Sequence, residues 1–147
     1  MQHRYETLFE LALASVLIGT LCVGVKAQRA EAIGTIYIRA DGNVDPPTAP
    51  IQRDGNFYTL TDNITSNQDG IIIERNNIIL DGLDHTITSI LPFSYVGIYL
   101  SGRENVTVTN FQVRGFDHGV FLQHCSGNSI LTNRIISNNM NGIRLTN

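Results

Sequence analysis

Tyr99, Phe121 and Arg144 each stand third in a similar tetrapeptide, Gly97–Leu100, Gly119–Leu122 and Gly142–Leu145. If these tetrapeptides stack, two aromatic faces and a guanidinium form one outward row. Such a row binds sugar rings by stacking, with Ser101, Gln123, Asp117 and His118 near enough to bond hydroxyls. The same row also reads as cross-strand packing that only stabilises a sheet. A second chemistry is eliminative cleavage of an acidic polysaccharide, which needs a base and carboxylates to hold calcium and the uronate. Arg103 and Arg114 supply the base, and Asp81, Asp84 and Asp117 the carboxylates, without forming a dense cluster. Hydrolysis would need paired carboxylates. Asp81 and Asp84 flank Gly82-Leu83, a pattern equally proper to a turn or a solvated corner. The ligand-binding candidates are therefore Tyr99, Phe121, Arg144, Gln123 and His118, and the catalytic candidates Asp117, Arg114 and Arg103.

What positions these residues is a repeat. Glu104–His124 overlays Gly127–Asn147 at an offset of 23 without a gap, and Gly97–Leu100 overlays Gly119–Leu122 at 22. A looser copy runs from Gly70 through Leu80. Periods of this size mark an array in which each unit buries its apolar face on the next. Each unit holds a Gly-Ile/Val-x-Leu piece, an Asn-x-x-apolar-x-Asn piece (Asn105–Asn110, Asn128–Asn133) and a third piece (Phe111–Phe116, Arg134–Asn139). Three short strands in so few residues leave no room for helices. The expected fold is all-β, a right-handed parallel β-helix whose strands stack in parallel from coil to coil.

Alternation assigns the faces. Ile98, Leu100, Val120, Leu122, Ile143 and Leu145 point inward, with Val108 and Leu131. The recurring Asn and Gly fit corners that need left-handed backbone, and stacked Asn amides can bond one another. Upstream, Thr35–Arg39 and Asn56–Leu60 are strand candidates. Asp45–Pro50, with three prolines, is an irregular connection.

The N-terminus reads as a separate object. Arg4, the apolar run Leu11–Val25 and small residues at Val25 and Ala27 make residues 1–27 a secretory signal, with an uncleaved anchor as the alternative. Residues 28–66 are then a lead-in and capping segment, and residues 67–147 the repeats. The protein is expected outside the cytoplasm: secreted, periplasmic or on the cell surface. Cys125 is left alone after cleavage, so no intrachain disulfide forms. The net charge of −3 offers no basic stripe for nucleic acid. Asn63-Ile64-Thr65 and Asn105-Val106-Thr107 are glycosylation sequons. The chain stops at Asn147 inside a repeat strand, which predicts a longer parent or self-association through the exposed C-terminal edge.

The Gly-Ile-x-Leu and Asn-x-x-x-x-Asn repeats, the stretch Ile71–Gly82 (IIIERNNIILDG) and Arg53–Leu60 resemble NosD-like, carbohydrate-binding-and-sugar-hydrolysis β-helix proteins, which share the pectin-lyase-like fold. The likeness covers roughly residues 34–147. It implies an exported or surface module, with a carbohydrate as partner and no cofactor as the leading expectation. Asp117-His118-Gly119 is similar to a Gly-His-Gly element of β-helix galacturonases, with the first Gly replaced. Part of the family is described as copper-binding, which brings His118, His124, Cys125 and Met140 forward as soft or borderline ligands. A polysaccharide lyase or glycoside hydrolase, a copper protein and a purely structural solenoid remain alternatives to a carbohydrate-binding module.

Overall fold

The fold was obtained as a computed structural model that describes residues 34–91 and 93–147, and these residues contain strands and no helix. In chain order the strands are β1 (Ile36–Ile38), β2 (Val44–Asp45), β3 (Ile51–Asp54), β4 (Phe57–Leu60), β5 (Ile64–Ser66), β6 (Ile71–Ile73), β7 (Ile78–Asp81) and β8 (Thr86–Ser89). They continue with β9 (Val96–Ser101), β10 (Val106–Thr109), β11 (Gln112–Arg114), β12 (His118–Gln123), β13 (Ser129–Leu131), β14 (Arg134–Ile135) and β15 (Asn141–Thr146). The proposed signal segment, residues 1–27, lies outside the described residues.

Every third strand returns to the same sheet. The six-stranded sheet runs β15-β12-β9-β6-β1-β2, the five-stranded sheet β13-β10-β7-β4-β3, and the four-stranded sheet β14-β11-β8-β5. Pairing is parallel except for β1 with β2 and β3 with β4. The protein is thus a β-solenoid of about four coils. Inside it lies one apolar column, from Ile36 and Tyr58 through Ile71, Leu80, Ile98, Val108, Phe111 and Phe116 to Val120. Ile143 and Leu145 share the inward register of Leu122 and Val120, yet they are 48% and 71% exposed because they lie on the outermost described strand.

The glycine of each Gly-Ile/Val-x-Leu piece that another coil covers has a steric task. Gly70, Gly97, Gly119 and Gly142 do not have positive φ. A Cβ on Gly97 would overlap Val113 Cγ1 and the Gly119 carbonyl, and one on Gly119 would overlap Ile135 and the Gly142 carbonyl. The column is glycine because adjacent coils touch backbone to backbone there. Left-handed backbone appears at other corners, at Asn77 (φ 57), Asn105 (φ 54) and Gly127 (φ 63), and also at Asn110, His124, Thr132 and Ser137.

The asparagines do something the repeat did not announce. Asn128, Asn133 and Asn138 reach back onto the preceding coil in one repeated geometry. Their Oδ1 atoms accept from the amides of Val106 (2.7 Å), Phe111 (2.9 Å) and Phe116 (3.1 Å). Their Nδ2 atoms donate to the carbonyls of Arg103 (2.9 Å), Val108 (2.9 Å) and Val113 (3.3 Å). Each corner of the last coil is therefore clipped to the preceding one, giving the Val106, Phe111 and Phe116 amides an acceptor, while the Arg103 and Val113 carbonyls also accept from the Ser126 and Ile136 amides. Direct amide-to-amide stacking occurs between Asn105 and Asn77, at 3.0 Å. Asn63, in the other sequon, accepts from the Thr86 amide at 2.8 Å.

One inward assignment is corrected. Val108 pairs with Ile130, and Thr109 with Leu131, so Ile130 faces the core while Leu131 is 52% exposed. The constant offset of 23 holds for β12 with β15 but becomes 22 for β10 with β13 and β11 with β14. A one-residue slip turns every side chain to the opposite face. Leu131→Ser is accordingly expected to change unfolding free energy by less than about 0.5 kcal/mol. Ile130→Ser should cost about 1 kcal/mol or more. Urea titration of the two variants checks the register.

Candidate functional site

The outward row exists and is longer than the sequence suggested. The ladder places Tyr37, Ile72, Tyr99, Phe121 and Arg144 side by side on five consecutive strands of the six-stranded sheet. At ~4.8 Å per strand the row extends about 19 Å. Tyr37 and Ile72 were missed because the copies that carry them are the least regular. The alternation of Thr35–Arg39 was their available signal.

All five ligand-binding candidates meet here. The Tyr99 and Phe121 rings lie 5.3 Å apart and tilted by 40°. Tyr99 Oη donates to Gln123 Oε1 at 2.8 Å. The Arg144 guanidinium sits 4.9 Å above the Phe121 ring, and the His118 ring packs edge-on to Phe121 at 5.6 Å. At the other end Arg39 covers Tyr37 at 3.9 Å. The rings are half-buried, so contacts fix their orientation while part of each surface stays accessible.

His118 is 7% exposed. Arg144 Nη1 lies 2.9 Å from its Nε2. Arginine only donates, so Nε2 must accept and the ring proton resides on Nδ1. That Nδ1 is buried and has no partner among the described residues. The Tyr95 carbonyl accepts from the Asp117 amide at 3.0 Å, which ties an exposed corner containing Phe93 and Tyr95 to this end of the row.

The catalytic candidates bond to different neighbours. Arg114 Nε donates to Thr88 Oγ1 at 3.1 Å, on the four-stranded sheet. Arg103 donates to the carbonyls of Ser101 (2.9 Å) and Glu74 (2.7 Å), at the corner after β9. Asp117 Oδ1 accepts from Asn139 Nδ2 at 2.9 Å, at the corner before β12. Asp81 accepts from the Leu83 amide and from Asn110, which is turn chemistry.

The metal candidates do not converge. The His118 Nε2 lone pair is taken by Arg144. Cys125 packs against the core, with its Sγ 3.3 Å from the Gln123 carbonyl and accepting from the Arg103 amide at 3.4 Å. His124 is exposed, and so is Met140. Among the described residues no three His, Cys, Asp or Glu side chains gather as a metal would require. As placed, these side chains do not form a shared ligand set.

No curated protein and no solved structure matches the chain significantly. A family match does exist, and it spans the same coils as the solenoid. Residues 36–147 match the NosD family, described as periplasmic copper-binding protein, and the chain belongs to that family.

Proposed function

We propose that this protein is an exported module that holds a glycan against the face formed by Tyr99 and Phe121. The carrying observation is the locked aromatic pair, oriented by Gln123 and Arg144 on an accessible parallel sheet. Rings fixed before binding lose little freedom when a sugar stacks on them. Arg144 covers part of Phe121, so the open ring is offered chiefly at Tyr99, with guanidinium donors at the end of the row. The family description supports a periplasmic location. Its copper function would need donors other than His118, His124 and Cys125 as they stand here.

The test is retention on a panel of immobilised polysaccharides. Tyr99→Ala and Phe121→Ala are each expected to weaken retention about tenfold or more, equivalent to ~1.4 kcal/mol. Tyr99→Phe keeps the ring and should retain most binding. All three variants must keep the β-sheet circular dichroism of the parent. Undiminished retention by both alanine variants would refute the site.

A further inference from the structure

We propose that the corner carrying Arg53, Arg75 and Arg103 is an anion-binding site, separate from the aromatic row, for a ligand bearing a carboxylate or a sulfate group. Among the described residues the ion pairs are those of Arg39, with Asp45 and with Glu74 at 3.1 Å. The hydrogen bonds that Arg39 donates to Asp45 raise its pKa further above the ordinary value. Arg53, Arg75 and Arg103 have no such carboxylate partner. Arg75 and Arg103 stand at equivalent places on neighbouring coils, since the next corner residues, Asn77 and Asn105, bond each other across the same separation. Both arginines line a cavity of about 380 Å³ together with Ala40, Glu74 and Asn76. Arg53 lines a second recess of about 460 Å³ together with Gly42.

Like charges are crowded here. A Cβ on Gly42 would overlap both Arg75 Nη1 and Arg53 Nη2, so the two guanidinium groups meet around that glycine, whose φ is +92°. Their hydrogen bonds go to neutral oxygens, from Arg75 Nη2 to Asn56 Oδ1 and from Arg53 Nε to the Gly55 carbonyl, both at 3.0 Å. Among the described residues Arg75 Nε is buried without a partner. A buried donor without an acceptor, set in an uncompensated pair of cations, is costly for a fold to keep. An oxyanion in the cavity lined by Arg75 and Arg103 would offset this positive charge and accept from their guanidinium groups. Glu74 does not fill this role, because its carboxylate is engaged by Arg39 and its carbonyl by Arg103.

Two probes separate the ligand classes: trigalacturonate for carboxylates and a heparin-derived tetrasaccharide for sulfates, each titrated calorimetrically. At least one should bind, more weakly as salt rises and screens the charges. Arg75→Gln and Arg103→Gln are each expected to weaken that binding about tenfold, ~1.4 kcal/mol. Arg134→Gln, the same charge change on an exposed residue elsewhere, should leave it unaltered. Phe121→Ala should also leave it unaltered, so failure of the glycan face and failure of this corner are distinguishable. Without ligand, Arg75→Gln should keep or raise the thermal midpoint, since it relieves repulsion. The proposal is overturned if neither probe binds the parent, if Arg134→Gln weakens binding as much as Arg75→Gln, or if Arg75→Gln lowers the ligand-free midpoint.

Discussion

Phe116→Ala is expected to cost about 3–5 kcal/mol, the range for truncating a fully buried phenylalanine. Phe116 is 0% exposed. Its ring would be 3.2 Å from a Cβ on Gly97, so it fills the space that the glycine column leaves open. The surrounding wall is backbone already in contact with the next coil, and it cannot collapse into the void. With a urea slope of ~1–3 kcal/mol per molar, the midpoint should fall by roughly 2 M. Because each coil touches only its neighbours, the loss would be felt first in the coils on either side. A midpoint shift no larger than that of Leu131→Ser would show that the core is not packed as described.

Asn133→Ala is expected to cost about 1–3 kcal/mol. The substitution removes two hydrogen bonds at once and strands the Phe111 amide, worth ~1–3 kcal/mol when left unsatisfied, whereas the Val108 carbonyl keeps its place in the ladder with β13. Water does not readily replace the lost acceptor, because Phe111 is buried. Asn133→Asp discriminates between the two bonds. It keeps an acceptor for Phe111 but sets a carboxylate against the Val108 carbonyl, so at neutral pH it should rescue little. Full stability of Asn133→Asp would mean that the Nδ2 contact is unimportant and that the clip is a single bond. Hydrogen exchange at the Phe111 amide provides the direct readout, with protection falling in the alanine variant and persisting in the aspartate one.

The repeated tetrapeptides made the architecture legible, because their alternation of in and out survives in every coil from Gly97 onward. The row of Tyr99, Phe121 and Arg144 followed from it directly. Leu131 was misassigned because a constant offset hides a slip between β14 and β15, where one extra residue is absorbed in a corner. Asparagine recurrence was visible, but a sequence does not say whether an amide faces its neighbour's side chain or the backbone one coil below. The crowded arginines were hidden for a different reason. Arg53 lies on an antiparallel strand outside the repeat, and Gly42, which lets it meet Arg75, carries no periodic signal. The donors that sequence offered for copper by type are drawn to different partners by the fold, Cys125 to the core and His118 to Arg144.

The ladder from Ile36 to Ile71, Ile98, Val120 and Ile143 advances by 35, 27, 22 and 23 residues, yet each advance is one hydrogen-bonded strand. Distance along this molecule is counted in rungs rather than in residues. Surplus sequence bulges out at the corners and leaves the pitch of the outward row untouched. The face behaves as a ruler with fixed graduations, while the corners beside it are free to lengthen, change character or carry an added peptide. New specificity can thus be acquired at a corner without re-spacing the groups that meet the ligand.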